Sequence, residues 1–467
     1  MSIAPIFIGG TGSHVGKSWM AAAVCRHLRR RGLRVAPFKA QNMSNNSFPC
    51  PDGGEIGRAQ AAQAAACGLE PHPDMNPILL KPTSEKGCQV VVNGRVWRDL
   101  SATAYYDEMP FLWRSALDAF SRLSARHDIV VIEGAGSVAE INLWDRDVVN
   151  LPFAEQVAAR GLLVGDIDRG GIFASVAGTY WLLPEAWRRL LPCFAVNRFR
   201  GDRRLFADGV GMLEDKAGAR CLGVFGYEYA ALVDEEDGVA AEDRPRRGTA
   251  GADVAIIAFP CISNLTDFRL LTGAAWVRHP VERQFAAVIL PGTKHTLADL
   301  AWLRRQGLDS WLEQQHAGGA HILGICGGYQ MLGQSVADPH GVEGGGTAEG
   351  LRFLPVTTEL AADKVTRAVS ARTPAGVAFG AYEIHMGRTQ VSGSAVPMAF
   401  VGDAAEGICE GRVMGTYLHG ATEDPRVLAE WLGLDLPPAP SVDERFEALA
   451  DWFERDADLG LFERTYL

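Results

Sequence analysis

Nine cysteines occur, an odd number, and no two are spaced as Cys-x-x-Cys. That pattern excludes the common paired-cysteine zinc sites and a disulfide-stapled scaffold, and it points to a reducing compartment, the cytoplasm. No uninterrupted apolar run reaches the roughly 18–20 residues that span a bilayer, so no membrane partner is expected. The segment Met1–Gly12 lacks the basic start of a secretory signal. Basic residues are in deficit, with 45 Lys plus Arg against 56 Asp plus Glu and a net charge of -11. A general nucleic-acid binder shows the opposite balance, so nucleic acid is not an expected partner, although a local site for an anionic ligand is compatible with this charge. Short repeats and low-complexity tracts are also missing.

What is present is ordinary globular composition, 47% hydrophobic, over 467 residues. At roughly 150 residues per domain that length predicts two large domains or three smaller ones. Apolar runs alternate with amphipathic stretches. Ile6–Ile8, Arg34–Phe38, Asp128–Ile132, Gly161–Val164 and Cys193–Asn197 predict strands, and Lys17–Arg31 predicts a helix. The texture turns polar and Pro-containing over 234–251, then alternation resumes with strands over Val254–Ala258, Ala286–Leu290 and His321–Gly324. The expected organisation is two doubly wound α/β domains, residues 1–233 and 252–467, joined by a linker over 234–251.

The run Gly9 to Ser18 lies between the first strand and the first helix and contains Gly12, Gly16, Lys17 and Ser18. Glycines let backbone N–H groups curl toward phosphate oxygens, and the helix N-terminus adds positive potential. Lys17 would reach the β- and γ-phosphates, and Ser18 would ligate Mg²⁺. Thr11 stands where the first glycine of the usual P-loop spacing belongs. A chance Gly-Lys-Ser is the competing explanation, and its position directly after a strand weighs against it. Glu133 ends another strand, before Gly134-Ala135-Gly136, where a carboxylate can face Ser18 across a metal. Asp166, Asp168 and Arg169 close a third.

In the second half, Gly324-Ile325-Cys326-Gly327-Gly328 follows a strand and precedes a helix start, the nucleophile-elbow pattern with cysteine in place of serine. The helix N-terminus favours thiolate, and the Gly327 N–H can donate to an oxyanion. A second donor is expected from the Leu290-Pro291-Gly292-Thr293 turn, at Gly292. His419, at the end of an expected strand from Val413, is the candidate acid/base, with His385 as its competitor.

These motifs carry a resemblance. The P-loop with Phe38-Lys39 and Glu133-Gly134-Ala135-Gly136 resembles the dethiobiotin synthetase type of P-loop domain. Lys39-Ala40-Gln41-Asn42-Met43, Gly54-Glu55-Ile56-Gly57-Arg58-Ala59-Gln60, Asp74-Met75-Asn76-Pro77, Leu80-Lys81-Pro82 and Asp166-Ile167-Asp168-Arg169-Gly170-Gly171 are similar to the cobyric acid synthases. Leu290-Pro291-Gly292-Thr293, the Cys326 elbow, Tyr382-Glu383-Ile384-His385 and Gly415-Thr416-Tyr417-Leu418-His419-Gly420 resemble the class I glutamine amidotransferases of the same branch. The chain departs from the family at Ala40, usually Pro, and at His14, commonly Asp. Ala421 stands where most class I enzymes place the third triad member, as is usual in this branch; what orients His419 stays open, with Glu383 one option.

The resemblance implies an N-terminal P-loop NTPase-like parallel sheet and a C-terminal flavodoxin-like amidotransferase sheet. It implies ATP and Mg²⁺, with Lys17 and Lys39 facing phosphates and Ser18, Glu55 and Glu133 as metal ligands. It implies glutamine as nitrogen donor, and a corrinoid substrate, adenosylcobyrinic acid a,c-diamide, amidated at four carboxylates. Two alternatives accompany it: the related cobyrinic acid a,c-diamide synthase, and a non-catalytic sensor of nucleotide or glutamine. A homo-oligomer is compatible with these motifs.

Overall fold

The computed structural model describes residues 3–84, 87–228 and 250–467, and these fall into two compact units. The expected linker lies outside the described residues, apart from positions 250 and 251.

In the first unit, strands Ile6–Gly10 (β1), Val35–Phe38 (β2), Ile129–Glu133 (β3), Arg160–Asp166 (β4), Cys193–Phe199 (β5) and Arg220–Gly226 (β6) form a sheet in the order β6-β5-β4-β1-β3-β2. Every neighbouring pair in it is parallel. Side chains alternate across it. Phe7 enters one apolar cluster with Phe38 and Phe153, while Ile6 and Ile8 enter another beneath helix Lys17–Arg30 (α1). The strand order reverses beside β1, so the carboxyl end of β1 is the switch point at which doubly wound sheets bind ligands. Helix Arg58–Cys67 (α2) follows the short strand Glu55–Gly57.

The second unit repeats the architecture. Strands Val254–Ile257 (β7), Ala275–Val277 (β8), Ala287–Leu290 (β9) and His321–Ile325 (β10) precede a long hairpin, Val356–Arg372 (β11) with Ala378–Val391 (β12), and then Ile408–Glu410 (β13) and Val413–Thr416 (β14). The main sheet runs β8-β7-β9-β10-β14-β13, parallel except for the antiparallel edge strand β13. Helix Gly327–Leu332 (α3) springs directly from the end of β10. The strand expected to run into His419 stops at Thr416. The next two N–H groups are captured by side chains instead of a ladder: Tyr417 N donates to Glu406 at 2.7 Å and Leu418 N to Thr416 Oγ1 at 3.0 Å. Burial pushes the Glu406 carboxyl up to about 7.

Two segments depart from the expected domain limits. Asn45–Gly53, expected in the first domain, clusters with the second unit, and Pro440–Leu467, expected in the second, clusters with the first. The cause of the latter is a shared core. Helix Val442–Asp456 (α4), opened by a capping box between Ser441 and Glu444, buries Phe446, Leu449, Trp452 and Phe453 against Met20, Val24 and Leu28 of α1. Helix Leu459–Tyr466 (α5) adds Phe462 and Tyr466. Arg26, His27 and Arg30 of α1 reach carboxylates along α4, Arg26 pairing with Asp443 at 3.0 Å and Arg30 with Asp451 at 2.7 Å.

Candidate active site

At the carboxyl end of the first sheet, the loop after β1 holds Gly16 at φ 97°, where a Cβ would lie 2.1 Å from Asn197 Nδ2. Only glycine fits both that left-handed backbone and that approach. Asn197 donates to Val15 O at 2.8 Å and so braces the loop. Lys17 turns its ammonium onto Gly12 O at 2.8 Å and Gly136 O at 3.0 Å, bridging this loop and the one after β3.

Glu133 is fully buried and is the hub of the site. It accepts from Ser18 Oγ at 2.8 Å and from Lys39 Nζ at 3.1 Å on one oxygen, and from Gln60 and Gln63 of α2 on the other. Burial alone would raise its pKa; the Lys39 ammonium, Gln63, Ser18 and Lys17 outweigh it and keep the carboxylate ionised. Asn42 donates to Gln60 at 2.8 Å, so the Gln41-Asn42-Met43 motif acts behind this hub. A buried carboxylate ringed by two ammonium groups is costly without a use.

The Ser18 hydroxyl and Glu133 carboxylate are hard oxygens of the type Mg²⁺ takes. Gln63 Oε1, on the side chain that donates to Glu133, is buried and has no hydrogen-bond partner among the described residues. No three His, Cys, Asp or Glu converge on one point among the described residues. These residues therefore fit an ion that draws its remaining ligands from phosphate and water. Glu55, expected beside Ser18 and Glu133, forms a buried ion pair with Lys81. Asp166 and Asp168 pair with Arg198 and Arg200 at the ends of β4 and β5.

In the second unit, Cys326 occupies the sharp turn between β10 and α3 at φ 51°, ψ −108°, a conformation a non-glycine residue adopts only under constraint from its surroundings. Its thiol also approaches Ile384 O at 3.7 Å. His419 is fully buried, and its backbone is pinned in both directions to Tyr382, at 2.9 and 3.0 Å. Its Nδ1 meets Asp267 Oδ2 at 2.7 Å, and the other Asp267 oxygen accepts from Gly420 N at 2.7 Å. Burial pulls this imidazole toward neutrality, but the Asp267 carboxylate and the Cys326 thiol overcome it and lift the ring to about 10. A thiol and an imidazole arranged in this way can share a proton as thiolate and imidazolium.

Gly292 lies against the same ring, since a Cβ there would sit 2.8 Å from His419 Cε1. Its turn is braced by Asp299, which accepts from Thr293 Oγ1 and, at 3.3 Å, from Cys261 N; burial raises that carboxyl to about 6 despite both donors. No hydrogen bond from the Gly292 or Gly327 N–H is found among the described residues, so both are available to an incoming oxygen.

The structure thus brings together Cys326, His419, Gly292 and Gly327 in one unit, and Gly12, Gly16, Lys17, Ser18, Lys39 and Glu133 in the other. His385, the competing base, stacks on Tyr417 at 3.9 Å and bonds Gly387 O at 2.9 Å. Glu383 does not orient His419: it pairs with Arg367 and faces His385 at 3.7 Å. That role falls to Asp267, which sequence reasoning missed, as it missed Gln60 and Gln63. Asp267 follows β7 in Asn264-Leu265-Thr266-Asp267, and nothing in its spacing links it to His419.

Residues 6–236 match the CobQ/CobB/MinD/ParA nucleotide binding domain, and residues 253–427 the CobB/CobQ-like glutamine amidotransferase domain. A protein of Jannaschia sp. (strain CCS1) named cobyric acid synthase is 45% identical over 459 residues, covering 96% of this chain and 95% of its own. A cobyric acid synthase of Rhodobacter capsulatus is 44% identical over 474 residues, covering 97% of this chain and 98% of its own. Among solved structures, a glutamine amidotransferase aligns over 39% of this chain and 98% of its own, at 19% identity and a TM-score of 0.32. A nucleotide-binding sheet and a glutamine amidotransferase sheet in one chain define a glutamine-dependent carbon–nitrogen ligase. The chain belongs to the cobyric acid synthase family, whose place is in cobalamin biosynthesis. No helix among the described residues is long and apolar enough to cross a membrane.

Proposed function

We propose that this chain is a cytoplasmic enzyme that uses ATP, Mg²⁺ and glutamine to amidate the b, d, e and g carboxylates of adenosylcobyrinic acid a,c-diamide, giving adenosylcobyric acid. The observation that carries the nitrogen half is the buried contact of Asp267 with His419 behind the Cys326 elbow. Cys326 attacks the glutamine side-chain amide, while the N–H groups of Gly327 and Gly292 take the developing oxyanion. His419 passes its proton to the departing ammonia, and water then releases glutamate from the thioester.

The other half is phosphoryl transfer, which requires positioning and charge neutralisation more than covalent chemistry. Lys17 and Lys39 neutralise phosphate oxygens. Ser18 and Glu133 would hold Mg²⁺, which would supply charge neutralisation at the phosphates, while Glu55 stays paired with Lys81. The substrate carboxylate takes the γ-phosphoryl group, ADP is left behind, and ammonia displaces phosphate to form the amide.

The test incubates purified protein with ATP, Mg²⁺ and glutamine and offers each corrinoid in turn. Four carboxyl-to-carboxamide conversions starting from the a,c-diamide, read by mass spectrometry, are expected. Two conversions of cobyrinic acid alone would reassign it to a,c-diamide synthesis.

Replacing Asp267 by asparagine tests the proton path. The wrong ring tautomer is expected to lower glutaminase turnover on the order of 10²–10⁴-fold. The pH profile moves as well. In the parent the imidazolium persists until about pH 10. Without the carboxylate, burial drives the ring to lose its proton earlier, so the basic limb of the profile shifts to lower pH. A basic limb that stays in place would refute Asp267 as the orienting group.

A further inference from the structure

With Nδ1 committed to Asp267, Nε2 is the ring atom of His419 left to exchange protons with Cys326 and the substrate. That atom has a second neighbour: Asn264 Nδ2, 3.1 Å away and buried. An amide N–H aimed at Nε2 suits the neutral ring, whose lone pair accepts it. The protonated ring carries hydrogen there and needs an acceptor. Asn264 Oδ1 is buried and has no hydrogen-bond partner among the described residues. A half-turn of the amide exchanges the two atoms, so the one side chain can serve both protonation states of His419. The titratable groups acting on the ring are Asp267 and Cys326; the amide carries no charge and leaves their balance intact.

The amide can turn, but the residue that bears it is fixed. Asn264 sits at φ 55°, ψ 50°, the left-handed region that a side chain occupies only when held there. Its carbonyl accepts from Asp267 N at 3.1 Å, and the preceding Ser263 N donates to Gly292 O at 2.9 Å. One turn, 263–267, therefore ties the oxyanion turn, Nε2 and Nδ1 to a common backbone. The clamp on that turn comes from far away in sequence. Asn264 N donates to Asn46 Oδ1 at 2.6 Å. Asn46 lies in Asn45–Gly53, the segment of the N-terminal half that clusters with the second unit. From the same segment, Phe48 packs on Tyr382 with ring centroids 4.9 Å apart, and Tyr382 stacks on His419 at 5.3 Å.

We propose that Asn46 and Asn264 are paired positioning residues of the glutaminase reaction: Asn46 holds the backbone of Asn264, and the Asn264 amide steers the Nε2 face of His419. The pair rests on the glutaminase function proposed above. It also makes the second unit's chemistry dependent on nine residues encoded before α2, immediately downstream of the Lys39–Asn42 stretch of the phosphate site.

The experiment measures glutaminase kcat and KM, together with amidation driven by added ammonium, in the full-length chain. Asn264→Ala is expected to lower glutaminase kcat about tenfold to a hundredfold, the weight of one hydrogen bond to a charged group, with little change in KM. Asn46→Ala is expected to lower it about threefold to tenfold, and Asn46→Asp, which keeps the accepting oxygen, to restore it. Ammonium-driven amidation should persist in all three. Because Asn46 acts through Asn264, the double alanine variant should be no slower than Asn264→Ala alone. Losses that multiply in the double variant, an unchanged kcat in Asn46→Ala, or an equal fall of ammonium-driven amidation would each overturn the pairing. A parent chain without glutaminase activity would instead overturn the function on which it rests.

Discussion

Replacing Cys326 by alanine is expected to cut glutamine-driven amidation on the order of 10⁴-fold or more, the scale on which a covalent mechanism loses its nucleophile. Amidation driven by ammonium should remain. The reason is local geometry: the thiol stands on a constrained turn at φ 51°, at the amino end of α3, and acts on an imidazole whose other nitrogen is anchored to Asp267 at 2.7 Å. Cys261, whose N–H donates to the Asp299 that braces the Gly292 turn, is no substitute nucleophile, because burial pushes its thiol up to about 11, away from thiolate. Product formation from glutamine and from ammonium chloride, followed by mass spectrometry, separates the outcomes. Equal losses from both nitrogen sources would show that Cys326 supports the fold and not the release of ammonia.

Replacing Lys17 by alanine is expected to do the converse. Carboxylate activation precedes the arrival of nitrogen from either source, so both amidations should fall on the order of 10³-fold or more. Glutaminase turnover measured without corrinoid should continue. Lys17 holds Gly12 O and Gly136 O at 2.8 and 3.0 Å, so its loss removes a phosphate-facing charge and also loosens the join between two loops. Lys17→Arg keeps the charge but not the compact head, and is expected to recover little activity. Ammonium-driven amidation unchanged in Lys17→Ala would remove the P-loop from the mechanism.

The central strands of both sheets were legible because each is a short apolar run, three of those in the first sheet ending in Gly10, Glu133 and Asp166, and the two ligand-facing turns announced themselves through Gly-Lys-Ser and Gly-Ile-Cys-Gly-Gly. Such signals are local. What escaped is tertiary. Asp267 and His419 are separated by 152 positions and meet only because β7 and β14 end on the same side of one sheet. Gln60 and Gln63 look like ordinary helix residues until α2 is laid over Glu133. The spacing of Phe446, Leu449, Trp452 and Phe453 marks an apolar helix face, but a face does not name its partner, and proximity in sequence pointed to the wrong unit. The same limit hid Asn46, a polar residue in a turn-rich stretch.

The return of α4 to α1 has a consequence for dissecting this molecule. The amidotransferase is not a tail that can be clipped off; it is spliced into its neighbour's sequence, which resumes after it. A fragment ending with the first sheet would leave Met20, Val24 and Leu28 bare to water on the helix that begins with Lys17. Separating the activities therefore calls for two cuts and a rejoined chain, with the last helices restored beside the first.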